Sequence, residues 1–344
     1  MNEREMEVLE RYSFRAERIS RVRGAFLCET EEGLRLLKET EKTEKRLRWE
    51  NRILRCFSEN DRIRVDTYVE NRDGELLTEG VDHKKYYVKC WYEGKECSMG
   101  DTSEILRTVE LLARLHIRLA EISAEFWEER DPEASGVCFE KNGGRSYRIP
   151  EVTSTAWIEV MDRHNKEMVR TRNFIRKKHH KSELELKILE DFSYYYEQAS
   201  RAFSQAKQVE KLPILLYHGD FTHHHVLWNG AQAVVTEFSH MGWGIQQEDF
   251  YLFWRKALEK HGWNRKLGLA MLESYESVRP LSSAEKQFLY LRMYYPEKFW
   301  KQVNYYSNSK KSWIPLRNLE KLQMLERQRE GREAFLNCLK ALCY

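Results

Sequence analysis

An apolar segment that ends in a carboxylate constrains the fold of this 344-residue chain more than any other feature. Residues 214–217 are mostly apolar, and His218, Gly219 and Asp220 follow them directly. A glycine before an aspartate at a strand end places the carboxylate on an exposed turn, where it can accept a proton from a substrate hydroxyl. The pattern therefore predicts a strand that leads into a catalytic loop.

A second strand is predicted at residues 233–238, and its last polar residue is Glu237. Two carboxylates at neighbouring strand ends are typical of metal-assisted phosphoryl transfer, in which one positions the nucleophile and the other holds Mg²⁺ against the phosphates. Asp220 is thus a candidate proton acceptor, and Glu237 is a candidate metal ligand.

Composition excludes several classes of protein. The 58 basic and 55 acidic residues nearly cancel, which argues against a dedicated nucleic-acid binder with a clustered basic excess. The hydrophobic share of 41% is enough to bury a core. No apolar run reaches the roughly 18 residues of a membrane span, so we expect no membrane contact. The seven cysteines form no CxxC pair and follow no export signal, which predicts reduced thiols and synthesis in the cytoplasm.

The first third of the chain predicts a small antiparallel sheet with one inserted helix. Residues 25–30 and 34–39 flank a Glu-Glu-Gly turn, which is a hairpin signal. Residues 43–58 carry apolar side chains at helical spacing. Residues 86–92 are rich in the aromatic and β-branched residues that favour strands.

The rest of the chain is predicted to be mostly helical. An apolar stripe at helical spacing begins near Thr102, and long helices are predicted at residues 152–180 and 183–207. Residues 131–150 are rich in glycine, serine and charge, which favours a loop or a hairpin. Residues 250–341 are again helical and rich in aromatic residues that we expect to fill a core. The length suits two lobes.

The segment with the first carboxylate resembles the catalytic loop of the aminoglycoside/choline phosphotransferase families. Their pattern is His-Gly-Asp, four residues, Asn and an apolar pair. Residues 218–227 match it, with His225 at the position of the metal-binding Asn. The second strand resembles their metal-binding Asp-Phe-Asp segment, with Glu237 in place of the metal-binding Asp. Asp249 resembles the downstream structural Asp that ties down their catalytic loop.

The resemblance implies an α+β, bilobal, protein-kinase-like fold. Its N-terminal lobe would span residues 1–93, a small antiparallel sheet with one helix at residues 43–58. The larger, mostly helical lobe would span residues 94–344 and carry the catalytic-loop-like segment 214–249.

Within this superfamily the chain is similar to the CotS-like group of spore-coat proteins of endospore-forming bacteria. The matching stretches are residues 21–30, 33–39, 89–94 and the catalytic segment. This resemblance implies synthesis in the mother-cell cytoplasm, deposition on the spore coat, and other spore-coat proteins as partners.

The same resemblance implies a site for ATP with Mg²⁺. Lys38 resembles the lysine that contacts the α- and β-phosphates, and Glu50 resembles the ion-pair partner of that lysine. The hinge between the lobes would include Lys89, Cys90 and Trp91, whose backbone groups could meet an adenine.

Three departures from the family pattern concern the phosphates and the metal. Arg21, Arg23 and Gly24 occupy the turn where the families have a glycine-rich loop, although arginines can bind phosphate by forked hydrogen bonds. The imidazole of His225 suits Mg²⁺ less well than an oxygen ligand. The longer side chain of Glu237 moves its carboxylate outward by roughly 1.5 Å. Because a misplacement of about 1 Å can lower a rate about a hundredfold, we expect slow phosphoryl transfer.

The remaining histidines permit two interpretations. His218 is predicted to brace the loop by hydrogen bonds, with His223 and His224 partly exposed. Alternatively, the histidine row contributes to a transition-metal site, although on a strand only His223 and His225 would share a face.

Three functions remain open at this point. The first is a CotS-like spore-coat protein that binds nucleotide and has slow or degenerate phosphotransferase activity. The second is an active ATP-dependent kinase that phosphorylates a hydroxyl of a small metabolite. The third is a non-catalytic coat scaffold whose aromatic-rich C-terminal helices bind partner proteins.

Overall fold

The computed structural model describes residues 3–57, 63–130, 136–140, 146–150, 156–309 and 316–344. The chain divides into two compact units: the first comprises Met1–Glu125 and Leu216–Gly242, the second Phe126–Leu215 and Trp243–Tyr344. The first unit contains all of the predicted N-terminal lobe and also includes the catalytic-loop-like residues up to 242. The lobe boundary at residue 93 stays a prediction.

The helices and strands alternate in the first part of the chain, and helices dominate the last part. In chain order they are α1 (Glu3–Glu10), β1 (Ala16–Val22), β2 (Ala25–Thr30), β3 (Gly33–Thr40), α2 (Glu44–Leu54), β4 (Ile63–Val65), β5 (Tyr68–Val69), β6 (Thr78–Glu79), β7 (Lys85–Cys90), β8 (Lys95–Glu96), α3 (Thr102–Arg130), β9 (Gly136–Glu140), β10 (Ser146–Pro150), α4 (Ala156–Lys177), α5 (Glu183–Ala206), β11 (Leu215–Tyr217), β12 (Val226–Asn229), β13 (Gln232–Val235), β14 (Gly242–Gly244), α6 (Gln247–Lys260), α7 (Arg265–Glu276), α8 (Ser283–Tyr294), α9 (Glu297–Asn308), α10 (Leu316–Arg327) and α11 (Arg329–Cys343).

A six-stranded antiparallel sheet forms the first part of unit 1, in the order β1-β2-β3-β7-β5, with β6 also paired to β7. The predicted hairpin is β2–β3, in which Thr30 pairs with Gly33. The hydrophobic core on one face of this sheet packs Leu37 and Val88 against side chains of α1. Since successive side chains of a strand point to opposite faces, Lys38 lies on the other face.

Helix α2 follows strand β3 of this sheet and lies within the predicted range 43–58. Thr43 caps it by accepting a hydrogen bond from the backbone N–H of Arg46, and its buried face includes Leu47 and Ile53. The helix ends at Leu54, four residues before the predicted end, and residue 58 lies outside the described residues.

A four-stranded sheet in the order β4-β13-β12-β8 positions the candidate site. Strand β13 runs parallel to β4, with Val235 opposite Val65, and antiparallel to β12, with Val235 opposite Val226. The residues that follow β4 and β13, and the residue that precedes β12, therefore meet at one end of this sheet.

The second unit is mostly helical, as predicted. Helices α4 and α5 correspond to the two long helices predicted from the sequence, and α5 begins with a capping box formed by Ser182 and Glu185. Strands β9 and β10 pair as an antiparallel hairpin in the stretch predicted to be a loop or hairpin.

Aromatic side chains fill the interior of this unit, as expected. The indole ring of Trp254 lies 4.9 Å from the ring of Phe250, and both side chains are fully buried. No helix in the described residues is both long enough and apolar enough to cross a bilayer. The six cysteines whose side chains are described form no disulfide.

Candidate functional site

Two acidic residues come together at the end of the four-stranded sheet. Asp66 directly follows β4, and Glu237 lies two residues after the end of β13. Because these strands are parallel and in register, their C-terminal ends are neighbours. The backbone N–H of Glu237 donates a hydrogen bond to Asp66 Oδ2 at 2.9 Å. A carboxylate side chain thus anchors the backbone of the candidate metal ligand.

Asp66 is itself held by a buried ion pair. Its Oδ2 lies 3.0 Å from the Nζ of Lys89, and each side chain is only 1% exposed. The ammonium of Lys89 also lies 4.4 Å from the ring centre of Tyr68, a favourable cation–π contact. Burial raises the pKa of Asp66, while Lys89 and the backbone N–H of Glu237 oppose this shift. Lys89 thus helps to keep Asp66 ionised as the anchor of Glu237.

Glu237 has a backbone conformation that is rare for a residue with a side chain. Its φ of 66° and ψ of 48° lie in the left-handed region. Such a conformation costs on the order of 1–3 kcal/mol and is concentrated at functional sites, where the surrounding structure enforces it. Here the hydrogen bond to Asp66 provides part of that restraint.

The carboxylate of Glu237 forms an ion pair with the ammonium of Lys38. Both side chains are largely buried, at 20% and 27% exposure respectively. Burial of Glu237 opposes its ionisation, but the charge of Lys38 and its hydrogen bond outweigh this effect and lower the pKa of Glu237. The two groups with predicted roles toward a phosphate and a metal are therefore adjacent.

The predicted ion pair between Lys38 and Glu50 is wrong. Glu50 is fully buried and instead accepts hydrogen bonds from Lys42 Nζ at 2.5 Å, Arg46 Nε at 2.7 Å and the hydroxyl of Tyr68 at 2.6 Å. Lys42 lies in the short connection between β3 and α2, from which its side chain reaches the buried face of the helix. Burial lowers the pKa of Lys42, and its contact with Glu50 opposes that shift. Glu50 thus stabilises the attachment of α2.

The adenine-binding role of residues 89–91 stays a prediction, and the structure shows what two of their backbone N–H groups contact. The side chain of Lys89 is buried in its pair with Asp66. The backbone N–H of Cys90 donates to the carbonyl of Thr67 at 2.8 Å, and the backbone N–H of Trp91 donates to the carbonyl of Leu34 at 2.9 Å. Because hydrogen bonds within the fold occupy these N–H groups, they are not available as donors to a base.

The loop that carries Asp220 is braced by His218. His218 is fully buried, and its Nε2 donates to the carbonyl of Thr236 at 2.9 Å. The backbone N–H of Asp220 donates to His218 Nδ1 at 3.2 Å. The neutral ring thus links the loop to the residue before Glu237.

Gly219 permits the sharp turn before the candidate base. Its φ is +83°, and a Cβ at this position would lie 2.2 Å from the backbone carbonyl oxygen of His240. No side chain fits this space without movement of the backbone. The carboxylate of Asp220 that follows is 43% exposed, consistent with a group that must meet a substrate.

His225 connects the loop to the sheet from the other side. Its Nδ1 donates to the backbone carbonyl of Asp220 at 2.8 Å. Since Nδ1 carries the proton in this arrangement, Nε2 keeps a lone pair in the neutral ring. That nitrogen is the atom of His225 that could bind a metal.

The three consecutive histidines form a 3₁₀ turn and not a strand. His224 Nδ1 lies 2.5 Å from Glu96 Oε2, whereas His225 binds the carbonyl of Asp220. His223 and His224 are both half-buried. Among the described residues, no group of three or more His, Cys, Asp or Glu side chains is arranged to hold a metal ion.

The remaining predicted site residues lie at two other places. Arg23 and Gly24 form the two-residue turn between β1 and β2, and Arg21 lies on the adjoining strand, with all three exposed to solvent. Asp249 is fully buried in the first turn of α6 and belongs to the second unit. The roles of these four residues stay predictions.

Sequence analysis missed Asp66 and the buried role of Lys89. A partial signal was present, because Asp66 is a carboxylate directly after the short strand β4, whose first and last residues, Ile63 and Val65, are apolar. The parallel pairing of β4 with β13 is a long-range contact, which no local pattern reveals.

Comparisons with known proteins were made on sequence and on structure. No protein-family model and no curated protein matches the chain. The structure is similar to that of an aminoglycoside phosphotransferase from Alicyclobacillus acidocaldarius, with a TM-score of 0.79 and 15% identity, covering 98% of this chain and 96% of that chain.

Two further solved structures resemble this chain over most of its length. One is a spectinomycin phosphotransferase in its AMP-bound complex, with a TM-score of 0.60 and 11% identity, covering 97% of this chain and 99% of that chain. The other is an amicoumacin kinase in complex with AMP-PNP, Ca²⁺ and Ami, with a TM-score of 0.57 and 12% identity, covering 96% of this chain and 92% of that chain. At these identities the likeness concerns the fold. It confirms the predicted α+β, kinase-like fold of the aminoglycoside phosphotransferases.

Proposed function

We propose that this protein binds ATP together with a divalent cation and transfers a phosphoryl group slowly to a hydroxyl of a small metabolite. The observation that carries the proposal is the ion pair between Lys38 and Glu237, with Glu237 anchored by Asp66. Phosphoryl transfer needs a fixed cation for the phosphates and a fixed anion for the metal ion. These two charges lie side by side at one end of the four-stranded sheet.

The residues present fit this assignment in part. Lys38 would hold phosphate oxygens, while the carboxylate of Glu237 and Nε2 of His225 would hold the cation. A divalent cation, when bound, supplies positive charge that neutralises the phosphates. Because imidazole is a poorer ligand for Mg²⁺ than oxygen is, the pair favours Mn²⁺ over Mg²⁺.

Asp220 would accept the proton of the substrate hydroxyl. Its carboxylate is accessible, and its backbone is fixed on both sides, because its N–H donates a hydrogen bond to His218 and its carbonyl accepts one from His225. A general base that is held in place in this way contributes typically 10²–10⁴-fold to a rate. The loop can therefore orient an acceptor hydroxyl even where the metal ligands differ from those of the family.

Slow transfer follows from the same geometry. A phosphate and a cation would have to separate Lys38 from Glu237, so part of the binding free energy would be lost in breaking that ion pair. Exposed Arg21 and Arg23 could supply further phosphate contacts from the β1–β2 turn, next to Gly24. Any adenine contact through the hinge backbone would have to use groups other than the N–H groups of Cys90 and Trp91.

The biological setting in this proposal rests on the sequence resemblance to CotS-like proteins. The protein would be made in the mother-cell cytoplasm, deposited on the spore coat, and bound there to other coat proteins. Deletion of the gene in a spore-forming host, followed by analysis of extracted coat proteins, tests this setting separately from the chemistry.

Nucleotide binding is tested by thermal-shift titration with ATP and either Mg²⁺ or Mn²⁺. We expect ATP to raise the melting temperature of the parent and of Asp220→Asn, with a larger shift in Mn²⁺, and to have little effect on Lys38→Met. Asp73→Asn, a change of an exposed carboxylate that pairs with Arg11, is the matched control. The absence of a shift with any nucleotide would leave the scaffold function as the better account.

Turnover is tested by measuring ATP consumption with a panel of hydroxylated acceptors. Asp220→Asn should lower the rate about a hundredfold or more, while Asp73→Asn should match the parent. Equal rates in Asp220→Asn and the parent would exclude Asp220 as the base.

A further inference from the structure

A groove with a strong excess of positive charge lies in the second unit. It is formed by α6, α9 and α10 and has a volume of about 590 Å³. We call it the basic groove, and its cationic lining residues are Arg255, Lys256, Lys260, Lys298, Lys301 and Lys321. Among the described residues that line it, one is acidic, Glu259. The chain as a whole is nearly neutral, so this excess is a local property.

The deepest cation of the groove is partly unsatisfied. Arg255 is 7% exposed and lines the wall, with one guanidinium nitrogen 2.7 Å from Glu259 Oε1. Its Nε has no hydrogen-bond partner among the described residues. Glu259 also pairs with Lys298 at 2.9 Å. One carboxylate therefore pairs with two cations, and the Nε–H of Arg255 is left without an acceptor.

The groove also has an apolar part. Met324 and Leu325 contribute to its lining, and Met324 is 45% exposed. Lys301 also lines a second depression along α9, together with Tyr305, which is 37% exposed, and Ser309. From Lys298 to Ser309 is eleven residues, about 16 Å along a helix axis. The surface thus combines spaced positive charges with exposed hydrophobic side chains. Its length corresponds to that of several residues of an extended peptide.

We infer that the basic groove binds an acidic segment of a partner protein, one that carries Asp or Glu together with at least one apolar side chain. The charges are complementary, and the exposed Met324 and Tyr305 offer contacts to apolar side chains. A small phosphorylated ligand fits less well, because five of the six cations are lysines distributed over three helices. Compact phosphate sites instead converge backbone N–H groups or forked arginines on one point.

This inference is independent of the proposed phosphotransferase activity. Asp249 is the predicted site residue on α6, and Lys260 lies eleven residues after it on the same helix. That spacing corresponds to about 16 Å along the axis. Loss of nucleotide binding would leave the inference unaffected, and loss of the acidic partner would leave the nucleotide site unaffected.

The test uses the full chain and a fluorescently labelled peptide of alternating Glu and Ser with a central Leu. Binding of the peptide is measured by fluorescence anisotropy. The double variant Lys260→Glu/Lys321→Glu reverses two exposed charges of the groove. The matched control Lys211→Glu/Lys266→Glu reverses two exposed lysines elsewhere in the same unit. We expect the groove variant to weaken binding about tenfold or more and the control to weaken it less than about twofold. Binding to the parent should fall as salt rises, because exposed charges are screened.

Four results would overturn the inference. The first two are equal affinity for a peptide with Gln in place of Glu, and an equal loss of peptide affinity in the groove variant and the control. The third is displacement of the labelled peptide by tripolyphosphate at a lower concentration than the unlabelled peptide needs. The fourth is binding of single-stranded DNA that is as tight as peptide binding or tighter. Melting temperatures of both double variants verify that they are folded. A Met324→Gln variant, which keeps every charge, should weaken peptide binding about threefold and should not alter its salt dependence.

Discussion

The candidate site of the first unit and the basic groove of the second are built from the same residue types but differ in burial. In the site, Lys89 and Asp66 are both 1% exposed and form a buried ion pair. In the groove, Lys260 and Lys321 are exposed, and cations outnumber carboxylates. A buried charge is stable only with a partner, so it holds a fixed geometry. An exposed lysine needs no partner, so an excess can persist and attract a ligand.

The largest effect should come from breaking the buried pair. Lys89→Met leaves the carboxylate of Asp66 buried without its counter-charge and should lower the free energy of unfolding by about 3–5 kcal/mol. The measurement is urea denaturation of the parent and the variant. The matched control is Lys84→Met, which breaks an exposed pair between Glu39 and the residue just before the strand that carries Lys89, and it should leave the transition unchanged.

A second variant distinguishes the role of charge from the role of packing at the Asp66–Lys89 pair. Asp66→Leu/Lys89→Met replaces both partners by apolar side chains and should recover most of the stability lost in Lys89→Met. It should not recover ATP binding, since Glu237 would lose the acceptor for its backbone N–H. If the double variant binds ATP as the parent does, Asp66 has no positioning role.

A smaller effect, and one that depends on pH, is expected for the Lys38–Glu237 pair. Because the folded-state pKa of Glu237 is lowered, the ionised form stabilises the fold above the ordinary glutamate pKa, and this contribution is lost as pH falls through the folded value. Glu237→Gln should therefore destabilise the protein at pH 7 by about 1 kcal/mol, a value reduced for partial exposure. The difference from the parent should shrink at pH values below the ordinary pKa of glutamate.

Denaturant titrations of both proteins across the acid range measure this difference. Because the free energy of unfolding of the variant is subtracted from that of the parent, a contribution from Asp66 that is the same in both proteins cancels. A difference that grows toward low pH would mean that Glu237 is protonated in the folded protein at neutral pH, contrary to the ion pair.

The smallest effect is expected in the groove. Lys260→Glu/Lys321→Glu should change the free energy of unfolding by less than about 0.5 kcal/mol, the usual range for surface substitutions, while it abolishes most peptide binding. Differential scanning calorimetry checks the stability. A loss of several kcal/mol would show that these lysines are structural, and the contrast between the two regions would then fail.

Local patterns predicted much of the site. Gly219 and Asp220 lie on a sharp turn after a strand, α2 begins after Thr43, and the β2–β3 hairpin forms where its glycine turn indicates. Each of these features depends on residues close together in the sequence. The predicted partner of Lys38 was wrong because the choice between Glu50 and Glu237 depends on which elements pack around the strand.

The sequence by itself determined an α+β chain with a His-Gly-Asp loop, a candidate base at Asp220 and a carboxylate at Glu237. Only the tertiary structure decided what those charges contact. The parallel pairing of β4 with β13 brings Asp66 beneath the backbone of Glu237, and burial then requires Lys89 as a counter-charge. The physical reason is that strand and turn propensities are local, whereas ion pairing and burial depend on strand register between segments about 170 residues apart.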